Sequence, residues 1–345
     1  MPQAKKISLE LQSEILGESV PATIILPPDY TAQAELLPLF IELHGAGGDR
    51  DWLDCFMPMI DGMYADCTLP SAVVVTVSAG PLSFYAGDWP RFIAEELPQL
   101  VAAQYRVRTD RAGVVLVGVS MGGHATLKIG FRYPERFAGI AALEPAIEPF
   151  YEPHETMHRN TWYLNEAIVE SIWGSPLDAE RWKADHAPNI AVKSAQAIRN
   201  CGLEIYLECG DEDRNQFQDG SEFLHRVLWD LDIRHEYHLV RWANHMGPSL
   251  LPRMAEAHAF LAAVISGERC ISSDLLPNES ETAFLDWSRR GLYENEPMPE
   301  GFLVTSERAP SMHAQLTRAD YDQAVENDPE MARSYARLPL TREGR

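Results

Sequence analysis

The sequence contains no apolar run that approaches the ~20 residues needed for a membrane-spanning helix. Residues 1–6 carry charge and no hydrophobic segment follows them, so no secretion signal is predicted. The chain has five cysteines in 345 residues and no C-x-x-C pair. An odd number of scattered cysteines favours free thiols in a reducing compartment. We therefore expect a cytoplasmic protein with no membrane partner.

Positively charged residues are also scarce. Lys and Arg number 29 against 51 Asp and Glu, which gives a formal net charge of −22. This charge disfavours nucleic acid and anionic membrane surfaces as partners. The acidity has two interpretations at this point: an ordinary acidic cytoplasmic enzyme, or adaptation to a salty environment. No internal repeat or low-complexity tract is present, which argues against a repeat architecture.

Apolar segments rich in β-branched residues alternate with segments whose apolar residues recur at helical spacing. The alternation predicts an α/β protein with a mostly parallel sheet covered by helices on both faces. One helix is expected over 88–106, with a kink at Pro98, and another over 217–231. We predict eight strands, at 7–16, 20–26, 38–43, 71–78, 113–118, 138–143, 203–209 and 236–242.

Two segments depart from this alternation. Residues 145–190 lie between the sixth and seventh predicted strands, where we expect a cap-like or lid-like insertion in a catalytic domain of residues 1–265. Residues 266–345 hold many prolines and charges but few long apolar runs. This C-terminal extension is expected to pack on the core or on a neighbouring subunit, and the second arrangement would give a homo-oligomer.

The most informative motif is Gly118-Val119-Ser120-Met121-Gly122. An apolar, strand-like run precedes it, and a segment with helical spacing follows it. This is the G-x-S-x-G nucleophile elbow in its expected strand–turn–helix context, in which a serine hydroxyl stands clear of the sheet. The motif makes Ser120 the candidate nucleophile of a serine hydrolase.

A serine nucleophile needs a base, and the base needs an acid that orients it. In this arrangement the three residues follow in the order serine, acid, histidine. His245 follows the last predicted strand and is the candidate base. Asp213 is the preferred acid, and Asp211, which is closer to its strand, is the alternative that could instead bond the turn's own backbone.

The developing oxyanion needs two backbone N–H groups. Met121, the residue after the nucleophile, is expected to supply one of them. The segment His44-Gly45-Ala46-Gly47-Gly48 follows the third predicted strand and is close to the H-G-G-G pattern of esterases. Ala46 is the expected second donor.

With these motifs the chain resembles α/β-hydrolases of the esterase D type, which include S-formylglutathione hydrolases, feruloyl esterases and mycolyltransferases. Further similarities are Pro27-Pro28-Asp29-Tyr30, Glu95-Glu96-Leu97-Pro98 and Ser171-Ile172-Trp173-Gly174. The resemblance covers about residues 8–265. It implies an α/β-hydrolase fold and hydrolysis of carboxylic esters through an acyl-enzyme, with no cofactor and no metal.

Aromatic residues near the predicted site suggest a small-molecule ester substrate with a bulky or aromatic group. An acyltransferase with an alcohol acceptor is the nearest alternative, because an acyl-enzyme does not dictate what attacks it. The candidates for the substrate pocket are Trp52, Phe84, Tyr85, Trp162, Trp173 and Trp242.

Two further hypotheses come from other classes of function. The segment His154-Glu155-Thr156-Met157-His158 matches H-E-x-x-H, in which the two histidines bind zinc and the glutamate acts as base. A zinc peptidase at His154 and His158 is disfavoured because Pro153 would place the motif on the first turn of a helix and no third ligand has the familiar spacing. The other hypothesis is a non-catalytic interaction module, against which the retention of Ser120 and His245 argues.

Overall fold

The computed structural model describes residues 3–32, 34–153 and 166–267. Within these ranges eight strands form one sheet in the order β1-β2-β4-β3-β5-β6-β7-β8. Strands β3 to β8 run parallel, whereas β1 and β2 form an antiparallel hairpin whose second strand pairs with β4. The strands are Lys5–Gln12 (β1), Ser19–Leu26 (β2), Leu39–Leu43 (β3), Val73–Val77 (β4), Val114–Val119 (β5), Gly139–Leu143 (β6), Glu204–Gly210 (β7) and Glu236–Val240 (β8).

The predicted mostly parallel, eight-stranded α/β sheet is thus confirmed. Every residue of β3, β4, β5 and β6 is buried, as expected for parallel strands covered on both faces. The first strand was predicted too far along the chain. It ends at Gln12, because Ser13 and Glu18 close a tight turn whose Gly17 has φ +69°.

Helices cover both faces of the sheet. Apolar residues of α4, α7 and α8 belong to one buried cluster, and those of α1 and α9 belong to a second. The α-helices are Met57–Ala65 (α1), Trp89–Arg91 (α2), Leu97–Ala102 (α3), Met121–Arg132 (α4), Glu166–Trp173 (α5), Ala179–Asp185 (α6), Ala187–Cys201 (α7), Phe217–Asp230 (α8) and Leu250–Ser266 (α9). None of the helices in the described ranges has the length and apolar character to cross a bilayer.

The helix predicted over 88–106 is irregular at its centre. A wider π-helical turn, Phe92–Glu96, separates α2 from α3. It ends two residues before Pro98, which has no N–H to donate to the preceding turn. The predicted disturbance at Pro98 therefore takes the form of a π-turn. The helix predicted over 217–231 is α8, one residue shorter at its end.

Parts of the two segments that depart from the α/β alternation lie outside the described residues. Of the insertion, the structure describes α5, α6 and the start of α7, but not residues 154–165. Nearly all of the extension, from residue 268 onward, also lies outside the described ranges. Its packing on the core or on a second subunit therefore stays a prediction.

Candidate active site

Ser120 lies on the sharp turn between β5 and α4. Its backbone adopts φ +60° and ψ −118°, a strained conformation that residues other than glycine rarely adopt. The turn is tight enough that a Cβ on Gly118 would collide with the backbone of Gly122, and one on Gly122 would collide with the carbonyl group of Leu43. These close approaches explain why the motif places glycine on both sides of the serine.

The side chains of Ser120, His245 and Asp213 form a continuous hydrogen-bonded chain. Ser120 Oγ lies 3.0 Å from His245 Nε2, and His245 Nδ1 lies 2.8 Å from Asp213 Oδ2. The three residues follow β5, β8 and β7, whose carboxyl ends meet at the same edge of the sheet. Both His245 and Asp213 are buried, while Ser120 is half-buried.

The two aspartates of the sequence prediction have different partners. Asp211 Oδ1 accepts a hydrogen bond of 2.6 Å from the N–H of Trp242, so this carboxylate joins the turns after β7 and β8. Asp213 Oδ1 accepts a bond of 2.6 Å from the N–H of Asn215, which leaves Oδ2 directed at His245. Of the two, Asp213 is the one that the structure brings to the imidazole.

The histidine loop is held by its neighbours. Asn244 Oδ1 accepts bonds from the N–H groups of His245, at 2.7 Å, and Arg214, at 3.3 Å. The ring of Phe217 meets the imidazole of His245 edge-on, with centroids 5.2 Å apart. Arg253 donates to the Asn244 carbonyl at 2.8 Å. The imidazole is therefore fixed by contacts from α8 and α9 as well as by its acid.

The glycine-rich loop after β3 lies against the serine. A Cβ on Gly45 would be only 3.4 Å from Ser120 Cβ. His44 accepts a bond at Nε2 from the N–H of Ala79, at 3.2 Å, and donates from Nδ1 to the Gly45 carbonyl, at 2.8 Å. Burial lowers the pKa of His44, consistent with this neutral tautomer. The ring thereby holds the Gly45 carbonyl in place.

The backbone N–H groups of Met121 and Ala46 are the two predicted oxyanion donors. Met121 is the first residue of α4, where a backbone N–H has no partner within the helix. Among residues 3–32, 34–153 and 166–267, neither the N–H of Met121 nor that of Ala46 has a backbone acceptor. Met121 directly follows Ser120 in the chain, and Ala46 directly follows Gly45.

Comparison with known proteins identifies the family. A family model described as "Putative esterase" matches residues 13–228. The chain belongs to this esterase family.

Individual members of the esterase family match this chain over different shares of their length. Esterase Rv1288 of Mycobacterium tuberculosis (strain H37Rv) is 22% identical over 263 residues, which cover 69% of this chain and 55% of that protein. This chain thus spans about half the length of that relative. Acetyl esterase of Caldicellulosiruptor saccharolyticus is 28% identical over 228 residues, 60% of this chain and 80% of that protein.

Solved structures extend the similarity to the fold. The substrate-bound fluorophosphonate-binding serine hydrolase F of Staphylococcus aureus has a TM-score of 0.61 and 20% identity, covering 75% of this chain and 99% of that one. At this identity the similarity concerns the fold alone. Together with the sheet order, it assigns the α/β-hydrolase fold to this esterase-family chain.

The aromatic residues predicted to line a pocket lie in different environments of the esterase-family fold. Phe84 is buried, its ring packs against Trp173 and His124, and its N–H lies 3.3 Å from Met121 Sδ. Tyr85 is also buried, and its hydroxyl donates to the His44 carbonyl at 3.4 Å.

The other pocket candidates are more scattered. Trp173 is buried and donates to Asp185 at 3.2 Å, Trp52 packs edge-on against Phe56, and Trp242 is 74% exposed. Trp162 lies outside the described residues. The pocket therefore stays a prediction, with Phe84 tied most directly to the elbow.

The sequence analysis did not predict a buried ionic group next to Nδ1 of His245. Glu144 directly follows β6, and its Oε2 lies 3.1 Å from His245 Nδ1. Its other oxygen accepts from Arg253, which also pairs with Glu208 at 2.9 Å. A charged residue at the carboxyl end of an apolar parallel strand was the available indication for Glu144, since ligands and catalytic groups gather at that edge.

In the described part of the chain, Glu144, Asp213 and His245 form the group of side chains that could hold a metal ion. One ligand atom from each of Glu144, Asp213 and His245 lies within 4.8 Å of the others. A cation there would have to displace the proton on His245 Nδ1, because both carboxylates face that nitrogen. The predicted zinc ligands His154 and His158 lie outside the described residues.

Proposed function

We propose that this chain is a serine carboxylesterase that works through an acyl-enzyme, with Ser120 as nucleophile, His245 as base and Asp213 as the orienting acid. The observation that carries the proposal is the continuous hydrogen bonding from Ser120 Oγ through the imidazole to Asp213. Membership of the esterase family and the available N–H groups beside the elbow support it further.

In the first half of the proposed reaction, Ser120 Oγ attacks the ester carbonyl carbon and His245 Nε2 takes the hydroxyl proton. The Asp213 carboxylate stabilises the imidazolium that results and keeps its Nδ1–H in place. The N–H groups of Met121 and Ala46 donate to the tetrahedral oxyanion. His245 then returns the proton to the leaving alcohol, which departs and leaves an acyl group on Ser120.

Water completes the proposed cycle. His245 removes a proton from the water as it attacks the acyl carbonyl, and the second tetrahedral intermediate is held by the same N–H groups. When the intermediate collapses, the proton passes to Ser120 Oγ and the carboxylic acid is released. We propose a small carboxylic ester as the substrate class, and Ser120 and His245 carry out every proton transfer of this cycle.

Replacement of the nucleophile tests the proposal. Ser120→Ala should lower the kcat for p-nitrophenyl acetate by about 10⁴-fold or more, because the base then has no hydroxyl to activate. Its thermal unfolding should match the wild type. A matched control is Ser171→Ala, since Ser171 is an exposed serine whose hydroxyl bonds the Ile168 carbonyl of its own helix.

A fluorophosphonate probe identifies the reacting residue directly. The probe should label Ser120 in the wild type and in Ser171→Ala, with the adduct located by peptide mass spectrometry, and activity should survive a chelator. Ester turnover by Ser120→Ala close to wild type, or activity that a chelator abolishes, would contradict the proposal.

A further inference from the structure

The segment that follows β4 is bonded to the glycine-rich loop after β3. This segment comprises residues 79–86, and we call it the bracing segment. At its start, the N–H of Ala79 donates to His44 Nε2 at 3.2 Å. Two residues further on, the Pro81 carbonyl accepts from the N–H of Gly47 at 2.8 Å. The position of the glycine-rich loop, which holds a proposed oxyanion donor, therefore depends on the bracing segment.

The bracing segment contains two consecutive residues in a strained conformation. Phe84 and Tyr85 both have a φ of +48°, in the left-handed region that bulky residues rarely adopt. The Tyr85 hydroxyl donates to the His44 carbonyl at 3.4 Å. The N–H of Phe84 lies 3.3 Å from Met121 Sδ at the elbow. Such a conformation persists only where the surrounding contacts hold it in place.

Lys128 makes a contact of this kind. Its side chain is fully buried, and it belongs to α4, the helix that begins at the elbow. Its Nζ donates to the Phe84 carbonyl at 2.7 Å. This carbonyl is part of the peptide group that joins Phe84 to Tyr85. The buried amine therefore fixes the peptide between the two strained residues.

The acidic partner of Lys128 comes from the insertion. Asp185, the last residue of α6, accepts from Lys128 Nζ at 2.8 Å and from the indole N–H of Trp173 at 3.2 Å. Burial lowers the pKa of Lys128, and the charge of Asp185 acts against that shift. A buried amine without such a partner would be strongly destabilising. Asp185 thus allows Lys128 to lie beneath the bracing segment.

We propose that Lys128 is a positioning residue for the esterase reaction. By holding the Phe84 carbonyl, it keeps the bracing segment and the glycine-rich loop in the geometry that directs the Ala46 N–H at the oxyanion. The inference rests on the proposed function. Asp185 has a different role, because it stabilises the buried amine and does not itself bond the bracing segment through the contacts described above.

Single variants separate the role of Lys128 from that of Asp185. Asp185→Asn keeps an acceptor for Trp173 and leaves the bond from Lys128 to Phe84. Its kcat for p-nitrophenyl acetate should stay within about threefold of wild type, while its urea midpoint falls. Lys128→Met removes the donor to Phe84, so it should lower kcat by about 10- to 100-fold and lower the urea midpoint as well.

The double variant Lys128→Met, Asp185→Asn distinguishes positioning from stability. It has neither buried charge, so its urea midpoint should rise above that of either single variant. Its kcat should stay about 10- to 100-fold below wild type, because the Phe84 carbonyl still lacks its donor. Each kcat is expressed per Ser120 that a fluorophosphonate labels at saturation, so inactive protein does not contribute. A purely structural role would restore activity together with stability.

Arg132 provides the matched control. It lies one turn after Lys128 in α4 and also contacts Asp185, at 3.4 Å. Its other bond, at 2.6 Å, goes to the Ala184 carbonyl rather than to the bracing segment. Arg132→Met should therefore leave kcat within about twofold of wild type. A loss as large as that of Lys128→Met would show that any cation beside Asp185 matters equally, and it would overturn the proposal.

A transition-state analogue gives a reading that stability alone would not change. Phenylboronic acid forms a tetrahedral adduct with a serine nucleophile and resembles the intermediate that the oxyanion donors bind. In the double variant, the Ki of this inhibitor should rise by about the same factor as kcat/KM falls. A Ki equal to that of the wild type would contradict an effect of Lys128 on the oxyanion geometry.

Tyr85→Phe tests the bracing segment without a change at Lys128. The variant keeps the ring and removes the hydroxyl that donates to the His44 carbonyl. It should lower kcat by about 3- to 10-fold, and its effect should be smaller in the Lys128→Met background because both changes release the same segment. This test decides even where a Lys128 variant does not fold, since wild-type kcat in Tyr85→Phe would refute the proposed path.

Failure of the positioning role and failure of the proposed function have different signatures. If the wild type neither turns over esters nor is labelled at Ser120, the proposed function fails. If the wild type is active and the double variant recovers both stability and kcat, Lys128 has only a structural role and the esterase proposal stands.

Discussion

In the described part of the chain two buried histidines, His245 and His258, pair with carboxylates, and they differ in what the second ring nitrogen contacts. His258 of α9 bonds Glu42 of β3 through Nε2, and its Nδ1 lies 2.7 Å from the Met254 carbonyl. A carboxylate and a carbonyl oxygen thus face the two ring nitrogens, an arrangement that favours a proton on each nitrogen. His245 instead presents Nδ1 to Asp213 and Nε2 to Ser120, whose hydroxyl can donate.

This difference separates a structural ion pair from a candidate catalytic base. Burial by itself would lower the pKa of His258, but the charge of Glu42 and its hydrogen bond outweigh burial and raise that pKa. The raised pKa favours the charged form of His258, whose ring packs flat on Phe40 in the core. A histidine becomes useful for catalysis when one nitrogen is left for a group that can give up a proton.

The largest expected effect lies at the catalytic candidate. His245→Ala should reduce kcat/KM for p-nitrophenyl acetate by about 10⁴-fold or more, because the Ser120 hydroxyl loses its base. The stability of the fold should change far less than the activity. Steady-state kinetics and urea unfolding measure the two quantities, and a His245→Ala variant that keeps wild-type turnover would erase the contrast with His258.

The converse variant should affect stability. His258→Ala leaves Glu42 buried without its cation, which should cost about 3–5 kcal/mol of unfolding free energy. The kcat of the folded fraction should stay within a few-fold of wild type. Urea unfolding measures the loss, and the double variant Glu42→Leu with His258→Leu should recover most of it. Equal stability of His258→Ala and wild type would show that the pair does not hold β3 and α9 together.

We expect pH to have a smaller effect on the free energy of unfolding. Since the pKa of His258 is raised in the folded state, the folded protein binds more protons than the unfolded chain between the two pKa values. The contribution of the pair is therefore complete below the unfolded histidine pKa of about 6.5 and is lost as pH rises through the folded value.

Urea unfolding from pH 6 to pH 10 tests this pH dependence. The quantity compared at each pH is the difference in unfolding free energy between the wild type and the Glu42→Leu, His258→Leu variant. The difference should fall as pH increases. A difference that grows with pH would mean that His258 is neutral in the folded protein.

Local chemistry made the elbow and the two partners of Ser120 predictable. All residues that form the G-x-S-x-G turn lie within five positions of the sequence. The strands before Asp213 and His245 can be recognised as short apolar runs. Asp211 and Asp213, by contrast, differ by two positions in one turn. Their roles differ because the N–H of Trp242, thirty-one residues away, donates to Asp211, and this contact has no local pattern.

Other features depended on contacts that have no local pattern. The first strand ends early because a turn at Ser13 forms hydrogen bonds across to Glu96, whose carboxylate accepts from Ser13 Oγ at 2.5 Å. Glu144 and Arg253 are 109 residues apart, and neither lies in a motif. Charged residues in apolar surroundings indicate that a partner exists, but they do not identify it.

The sequence by itself determined the order of strands and helices, the strained serine turn and the types of residue needed to activate a hydroxyl, because each of these depends on neighbours along the chain. Only the tertiary structure decided which acid reaches His245, that His258 pairs with Glu42, and that a second carboxyl lies beside Nδ1 of the His245 imidazole. The physical reason is that burial and the charges of distant residues set the protonation of a side chain, and these arise only when the sheet brings its strand ends together.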